Sequence, residues 1–378
     1  MAKLKDIGVI ITGNTPKTSD PKNYETTDIP FIKPSDISDD AISYLHNSEF
    51  YISEYAREKS RIVPVDSILF TCIGIIGKIA VNKVECAFNQ QINAIIPDKS
   101  KCLTDYLVYA LQSKKRLLQE TANAPVVPIL NKTQFSEIEI ELPSLEQQEK
   151  ISVQLNKIND LISQRNLQLS KLDELVKSRF IELFGDPETN PMGLEKVLLS
   201  DIAEYFNGLT YSPDNVTNDG TIVLRSSNIQ NSQLDFADTV RVNSSIKDKL
   251  FVKDNDILMC SRNGSARLVG KVALIKNLSE PMTFGAFMMI IRSRYYPYLM
   301  TYFQMDAFRR QIATGATTTI NQITGNMLNK ISLPLPDMAD INEFAVFVEQ
   351  TDKSKLAIQQ SLEKLETLKK SLMQQYFG

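Results

Sequence analysis

Polar and basic side chains that could bind a ligand are concentrated in two sets of short loops. The first set comprises Lys33, Ser35, Asp36, Thr71, Lys78, Gln90, Gln91 and Asn131. The second set comprises Arg225, Ser226, Ser227, Asn228, Ser261, Arg262, Asn263, Arg267, Lys271, Thr317, Thr318 and Asn321. In the major groove of DNA, Arg and Lys pair with guanine, and Asn and Gln pair with adenine. We predict that these loops contact DNA through about half of the named residues, because loop residues also cap turns.

The sequence lacks the motifs of common catalytic sites. No GxSxG or HExxH motif occurs, and Asn190-Pro191-Met192 is not the Asn/Asp-Pro-Pro-aromatic motif of adenine methyltransferases. The segment Gly264–Lys271 resembles a phosphate-binding loop, but it has one residue too many between its glycines and lacks Ser or Thr after the lysine. We therefore predict a chain without catalytic residues, metal or cofactor of its own.

The bulk composition limits the kind of protein that this chain can be. The net charge is −3 and no segment is strongly basic, so any positive surface for DNA must be local or supplied partly by a partner. No apolar run is long enough for a membrane span, and the first residues lack the apolar stretch of a signal peptide. The cysteines have no metal-ligand spacing and are predicted to be reduced thiols of a cytoplasmic protein.

An internal repeat organises the whole chain. Leu142-Pro143 recurs as Leu335-Pro336, and Phe184-Gly185 recurs as Phe377-Gly378, both at an offset of 193 positions and without a gap. Each copy holds a globular segment followed by a long helix-like segment. Repeats of this kind are the first feature to seek in a sequence, because they determine the architecture.

The two long segments have the apolar spacing of coiled-coil helices. In the first, Ser144 and Gln147 form a capping-box pattern, and Gly185 marks the predicted end. The apolar stripes are sustained over several heptads and are too narrow for a globular core, so we favour a coiled coil over helices packed only on their own domains. Arg165, Arg179, Lys355 and Lys369 interrupt the stripes and are interpreted as coiled-coil edges.

The predicted organisation has four segments. They are residues 1–143 (first globular domain), 144–185 (first long helix), 186–336 (second globular domain) and 337–378 (second long helix). Between the globular segments the hydrophobic frames agree, while the polar residues between them differ. Two related binding modules would show this pattern, as would any duplicated domain that has drifted.

The order of the motifs, present twice, resembles the specificity subunit of Type I restriction–modification systems. The pieces that carry the resemblance are Ser67–Phe70, Gly77–Ala80, Ile138–Pro143, Leu145–Gln148, Asp256–Met259, Ser261–Gly264, Gly270–Ala273, Gly315–Asn321 and Ile331–Pro336. The resemblance covers the whole chain. The first copy departs from it at Thr121–Pro128, where the family usually has a loop rich in Gly, Ser and Thr.

This resemblance implies a fold, a function and partners. The fold would be α+β, with two β-rich target recognition domains that also contain small helices. Two long antiparallel helices, forming a coiled coil, would separate these domains, and the internal repeat would have pseudo-twofold symmetry. The function would be to read a bipartite target in double-stranded DNA and to direct adenine methyltransferase (modification) subunits, two of them, to it. Restriction (translocase–nuclease) subunits would join the assembly, and AdoMet and ATP would bind only to partner subunits.

Two other functions remain open from the sequence. The chain could be a coiled-coil scaffold that displays two β-rich modules to protein partners without binding DNA, or the recognition part of a fused restriction–methylation enzyme. A geometric estimate favours the DNA reading. Helices of about 40 residues span roughly 60 Å, which corresponds to half-site centres roughly 15–18 base pairs apart. Such a distance suits a split target with an unread spacer.

Overall fold

The structure is a computed structural model that describes residues 1–39, 41–121, 128–313 and 322–378. The predicted site residues Thr317, Thr318 and Asn321 lie outside these ranges. The chain divides into unit 1 (Met1–Arg165 with Gln360–Gly378) and unit 2 (Asn166–Gln359). The division into four domains made from the sequence stays a prediction, because the two units cut across both long helices.

Unit 1 is a mixed α/β body. Its strands are β1 (Ala2–Lys3), β2 (Gly8–Thr12), β3 (Ile29–Ile32), β4 (Ser43–Leu45), β5 (Tyr51–Ile52), β6 (Ile62–Val63), β7 (Ile68–Thr71), β8 (Ile79–Asn82), β9 (Cys86–Phe88), β10 (Ile92–Pro97) and β11 (Glu139–Ile140). Its helices are α1 (Leu4–Ile7), α2 (Thr104–Thr121), α3 (Lys132–Ser136) and the first part of α4 (Leu145–Phe184). The end of the last helix of the chain also belongs to it.

Unit 2 repeats this composition. Its strands are β12 (Lys196–Leu198), β13 (Glu204–Asn207), β14 (Val216–Thr217), β15 (Thr221–Leu224), β16 (Ile229–Gln230), β17 (Gln233–Leu234), β18 (Val240–Val242), β19 (Ile257–Cys260), β20 (Val272–Leu274), β21 (Met282–Phe284), β22 (Met288–Arg292) and β23 (Ser332–Pro334). Its helices are α5 (Leu199–Ile202), α6 (Tyr296–Tyr302), α7 (Asp306–Ala313), α8 (Gly325–Leu328), the second part of α4 and most of α9 (Met338–Phe377).

The strand order of the main sheet is the same in both units. It runs β2-β10-β7-β8 in unit 1, with β4 added at the edge, and β13-β22-β19-β20 in unit 2. A second sheet in each unit contains one parallel pair, β3 with β9 and β15 with β21. The internal repeat predicted from the sequence is thus confirmed at the level of topology.

The main sheet of each unit is covered on both faces. In β7, Ile68 and Phe70 pack with α2, whereas the intervening Leu69 packs towards the second sheet. In β19, Ile257 and Met259 pack with α6, and Leu258 packs towards the second sheet. Successive side chains of a strand point to opposite faces, so strands that are apolar at every position must be covered twice.

The helix that follows the main sheet differs between the units. The sequence predicts one helix in each copy, and unit 1 has a single α2. In unit 2 the helix is interrupted between α6 and α7. There Gln304 N donates to Thr301 O at 3.0 Å, which forms a tighter turn than that of an α-helix. Phe303 and Phe308 would face different sides of one straight helix, and the break lets both rings meet at 4.8 Å in the core.

The long helices α4 and α9 run antiparallel in unit 2 and also contact each other in unit 1. In unit 2, Arg179 of α4 pairs with Glu343 of α9 at 2.6 Å, while Asp173 pairs with Lys355 at 2.6 Å, so the two helices are traversed in opposite directions. In unit 1, Tyr376 donates to Gln154 at 2.6 Å. The charged interruptions Arg179 and Lys355 therefore lie at edges of the helix pair, as predicted.

The helix ends also pack on the globular core, which the sequence analysis had ranked below pairing. The Phe180 ring of α4 stacks on Tyr298 of α6 at 4.9 Å and contacts Phe344 of α9 at 5.7 Å. The capping box of Ser144 with Gln147 is present, and Gly185 has the positive φ (74°) expected after a helix end. The helices are thus paired with each other and anchored in the cores.

Two glycines at equivalent positions of the repeat allow a close approach of the backbone. A Cβ at Gly13 would lie 2.2 Å from Asn89 O, and a Cβ at Gly208 would lie 2.1 Å from Gly285 O. We expect Gly13→Ala and Gly208→Ala each to lower the free energy of unfolding by about 2 kcal/mol, since backbone must move to admit the methyl group. Gly264→Ala is the control, because open space surrounds Gly264. Equal unfolding midpoints in urea for all three variants would contradict this expectation.

Candidate nucleic-acid interface

Five loops of unit 1 meet at one end of its sheets, and we call them loop cluster 1 (residues 13–15, 33–37, 71–78, 89–91 and 128–131). Four backbone hydrogen bonds join them, namely Asn14 N to Phe88 O (3.1 Å), Asn89 N to Ile32 O (3.1 Å), Cys72 N to Gln91 O (2.7 Å) and Leu130 N to Cys72 O (2.9 Å). These bonds gather every described candidate residue of the first set into one region.

Loop cluster 2 is the equivalent region of unit 2 (residues 208–210, 225–229, 261–271, 285–287 and 322–323). Its four equivalent bonds are Leu209 N to Phe284 O (2.7 Å), Gly285 N to Leu224 O (2.9 Å), Ser261 N to Phe287 O (2.9 Å) and Ile323 N to Ser261 O (2.7 Å). The same backbone scaffold therefore carries different side chains in the two units.

A pair of side chains holds the first loop of each cluster in the same way. In unit 1, Asp36 accepts a bond from Lys33 N at 2.8 Å, and the Lys78 ammonium donates to Ile37 O at 3.0 Å. In unit 2, Asn228 accepts a bond from Arg225 N at 2.8 Å, and the Lys271 ammonium donates to Ile229 O at 3.0 Å. We call this arrangement the loop latch.

The latch changes the interpretation of four predicted contact residues. Asp36 also accepts bonds from Ser48 Oγ and Glu49 N, and Asn228 donates to the carbonyls of two further residues. Lys78 is buried and also contacts Pro34 O and Asp39. The polar atoms of the latch thus hold the loops in place, one of the two roles that the sequence left open.

Other candidates also have structural roles. Thr71 is buried, donates to Ile75 O at 2.6 Å and accepts a bond from Lys78 N at 3.0 Å. Asn131 caps α3 by accepting a bond from Gln134 N at 2.9 Å. Ser261 is buried beneath the hairpin that follows β19. These residues shape the loops from which the exposed side chains project.

The exposed and half-buried polar side chains of loop cluster 1 are amides, a hydroxyl and one lysine. Gln90 is exposed, and its Oε1 accepts a bond from Thr15 Oγ1 at 2.7 Å. Gln91 accepts a bond from Asn89 at 2.9 Å, and Ser35 is exposed. The Lys33 ammonium lies 3.0 Å from the centre of the half-exposed Phe50 ring.

The side chains of loop cluster 2 are richer in arginine. Arg262 donates through Nε (2.9 Å) and Nη2 to Gln322 Oε1, and its guanidinium lies 5.9 Å from the Phe287 ring centre. Arg267 is exposed and has no ion-pair partner among the residues that the structure describes.

The remaining candidates of cluster 2 bind one another or nearby acidic groups. Arg225 pairs with Asp238 at 2.7 Å, and Asn263 Nδ2 lies 3.4 Å from Ser226 Oγ. Ser227 is half-buried beside them, and its carbonyl accepts a bond from Gln230.

Thr15, Gln322, Phe50 and Phe287 were missed by the sequence analysis. A signal for Thr15 exists in the sequence, because it lies two residues after Gly13, which has the equivalent Gly208 in the second copy of the repeat.

The cysteine thiols are buried and weakly reactive. Burial raises the pKa of the Cys72, Cys86 and Cys102 thiols to about 12, so these thiols stay protonated at neutral pH and are poor nucleophiles and ligands. All four cysteines are free and buried, as predicted. In the described ranges, no group of three or more His, Cys, Asp or Glu residues could hold a metal ion. No helix there is both long and apolar enough to cross a membrane.

The latch leads to a prediction about stability. Lys78→Met would leave the carbonyls of Pro34 and Ile37 without their shared donor, and we expect a loss of about 1–3 kcal/mol in the free energy of unfolding. Lys99→Met is the control, because the exposed Lys99 ammonium contacts, within the described ranges, only the Asp66 carboxylate. Urea unfolding of the full chain would measure both changes. A Lys78→Met protein as stable as the control would show that the latch contributes nothing.

Comparison with protein families gives one match that extends over most of the chain. The model of the "Type I restriction modification DNA specificity domain" matches residues 1–171 and again residues 191–370. The two matches correspond to the two copies of the repeat.

Curated relatives share part of their length with this chain. The type I restriction enzyme MjaIX specificity subunit of Methanocaldococcus jannaschii is 35% identical over 170 residues, which is 44% of this chain and 39% of the relative. The HindI specificity subunit of Haemophilus influenzae is 32% identical over 148 residues, or 39% of this chain and 32% of the relative. These alignments therefore span less than half of each relative.

Solved structures show the same fold over the full chain. The S subunit of a type I restriction–modification system from M. genitalium aligns over 100% of this chain and 95% of its own, with a TM-score of 0.59 and 11% identity. A chain from work on the complex assembly and conformational transition of the type I R-M system aligns over 100% of this chain and 96% of its own, with a TM-score of 0.55 and 16% identity. The predicted α+β architecture with two antiparallel long helices is confirmed.

Proposed function

Because the chain belongs to the family of type I restriction modification DNA specificity domains, we propose that it is the subunit that recognises a bipartite DNA sequence for such a system. The observation that carries this proposal is the pair of loop clusters. The same four backbone bonds recur in both, while the exposed side chains change from amides in unit 1 to arginines in unit 2. A duplicated scaffold with different polar side chains suits two half-sites of different sequence.

Recognition of DNA bases also requires that the side chains contacting them be held in fixed positions. The latch residues and the buried Thr71 and Ser261 fix the loops, so exposed groups such as Gln90 and Arg262 project from a rigid frame. Sites on loops that a scaffold fixes are the usual places for binding residues. The exposed lysine and arginines would also supply local positive charge to a chain whose net charge is −3.

The proposed role is non-catalytic. Adenine methylation would be performed by modification subunits that bind AdoMet, and cleavage by restriction subunits that use ATP, with no cofactor on this chain. The match to the DNA specificity domain model in both halves of the chain supports this division. We place the complex in the cytoplasm, where its DNA substrate lies.

The long helices offer a surface that suits two identical partners. Four exposed apolar residues repeat at the offset of 193, namely Val153 (59% exposed), Val346 (56%), Leu175 (47%) and Leu368 (48%). Val153 and Leu368, which we call apolar pair 1, belong to unit 1, and Leu175 and Val346, apolar pair 2, belong to unit 2. Each unit thus presents one valine from one helix and one leucine from the other, which supports the docking of one modification subunit per unit.

The proposal is tested by mapping adenine methylation in cells. The chain would be co-expressed with a methyltransferase subunit of the same host, and genomic adenine methylation would be compared with that of cells lacking the chain. We expect methylation at one split sequence motif only when the chain is present. Methylation that is absent, or that does not depend on the chain, would favour a scaffold that does not bind DNA.

A further inference from the structure

The two loop clusters place different hydrogen-bonding groups beside the same turn of the scaffold. This turn joins β9 to β10 in unit 1 and β21 to β22 in unit 2. In unit 1 it carries the amide of Gln90, whereas in unit 2 it reads Gly285-Ala286-Phe287, and the polar group beside it is the guanidinium of Arg262. Resting on the proposed function, we infer that Arg262, positioned by Gln322, reads a guanine in one half-site, and that Gln90, positioned by Thr15, reads an adenine in the other.

The backbone of Arg262 is held from both sides. Its N–H donates to Phe287 O at 3.1 Å, and it forms an antiparallel bridge with Gln322. The neighbouring Ser261 accepts a bond from Ile323 N at 2.7 Å. The residue is exposed despite these restraints, so its side chain starts from a fixed point and reaches towards solvent.

The hydrogen bonds to Gln322 occupy one edge of the Arg262 guanidinium. Nε and Nη2 both donate to Gln322 Oε1, which occupies the edge nearest the side-chain stem. A guanidinium has five N–H donors in a rigid planar fork. Its outer edge, formed by Nη1 and the second proton of Nη2, bonds to none of the residues that the structure describes. Two parallel donors at this spacing match O6 and N7 of guanine.

The corresponding group in unit 1 is an amide with a fixed orientation. Thr15 Oγ1 donates to Gln90 Oε1 at 2.7 Å, so the oxygen lies towards Thr15 and Nε2 is available to donate. A carbonyl oxygen has two lone pairs and can accept a second bond. An amide presenting one donor and one acceptor matches N7 and the N6 amino group of adenine.

This adenine is expected to stay in its base pair. A base that is methylated must leave the helical stack, so it cannot be read at the same time on its major-groove edge. The A·T pair read by Gln90 is therefore separate from the methylated one. Thr15 and Gln322 act as positioning residues, since each orients a reader without occupying its outward edge.

The test uses the full chain in complex with its methyltransferase subunit. The DNA is a set of unmethylated duplexes that carry the sequence motif found by methylation mapping. Each guanine in turn is replaced by 7-deazaguanine and each adenine by 7-deazaadenine, which lack the N7 acceptor. We expect one 7-deazaguanine to weaken binding of the wild-type complex by roughly fivefold or more. The Arg262→Ala complex should bind unmodified DNA more weakly and be indifferent to that replacement.

The second readout concerns the positioning residues. Gln322→Ala should reduce the response to that 7-deazaguanine, while Gln322→Glu, which keeps an oxygen acceptor, should preserve it. In the other half-site, Gln90→Ala should abolish the response to one 7-deazaadenine, Thr15→Val should reduce it, and Thr15→Ser should preserve it. The two sensitive positions should lie in opposite halves of the motif.

The outcomes separate this inference from the proposed function. A split motif in which Arg262→Ala leaves every 7-deazaguanine response intact would overturn the inference about guanine while the proposed function stands. Sensitive positions for Arg262 and Gln90 within one half-site would overturn the assignment of one reader to each half. The absence of any split motif bound by the complex would overturn both.

Discussion

Replacing Asp256 by alanine is expected to lower the free energy of unfolding of unit 2 by about 3–5 kcal/mol. Asp256 is buried, and its two oxygens accept bonds at 2.7 Å from Nε and Nη2 of Arg292, while Lys253 N donates to the same carboxylate at 2.8 Å. The Arg292 guanidinium also lies over the Phe206 ring at 4.9 Å. Without the carboxylate, the half-buried guanidinium of Arg292 would lose its ion-pair partner, and the Lys253 N–H would lose its acceptor.

The matched control has the same geometry at the surface. Arg241 and Glu280 form a fork with two bonds of 2.7 Å, but the Glu280 side chain is 38% exposed whereas that of Asp256 is 1% exposed, so Glu280→Ala should cost less than about 1 kcal/mol. Hydrogen exchange of the β19 and β22 amides, read by mass spectrometry in the full chain, would report on unit 2 alone. Similar losses of protection in the two variants would show that burial of the Asp256 pair does not matter.

Charging apolar pair 1 is expected to remove one methyltransferase subunit from the complex. In Val153→Glu with Leu368→Glu, two carboxylates would have to be desolvated at a docking surface, which we expect to weaken binding at that site about tenfold or more. The same changes in apolar pair 2 should remove the second subunit. The mass of the purified complex would give the number of subunits retained.

Leu167→Glu is the control for this experiment. Leu167 lies on the same helix α4 and is as exposed as Val153, at 59%, but its repeat position is Gln360, so it belongs to no repeated pair. We expect the complex with Leu167→Glu to keep both subunits. Loss of a subunit in this variant, or retention of both when apolar pair 1 is charged, would contradict the assignment of the docking surface.

The strands, the internal repeat and the long helices of this protein could be predicted from its sequence, because each of them has a recognisable pattern of apolar or helix-capping residues. The runs Ile68–Phe70 and Ile257–Met259 are apolar at every position, a pattern that suits strands covered on both faces. The offset of 193 identified two equivalent halves before any strand order was known. The ends of α4 were given by Ser144 and Gly185, whose backbone roles are local and depend little on tertiary structure.

The sequence could not show which polar loop residues hold the loops in place and which are exposed for contact with DNA. Asp36 and Gln90 are both polar residues in loops, and only long-range pairing shows that one is enclosed by backbone donors while the other is exposed. The pairing of Arg262 with Gln322 joins positions 60 residues apart, for which the sequence contains no signal. The break between α6 and α7 likewise follows from the need to bury both Phe303 and Phe308.

Hydroxyl-radical footprinting of DNA bound to the complex tests the central claim most directly, that two similar units each read one half of a split sequence. We predict two protected stretches separated by a less protected spacer, with Arg262→Ala weakening one stretch and leaving the other unchanged. A single continuous footprint, or equal weakening of both stretches by Arg262→Ala, would contradict the account.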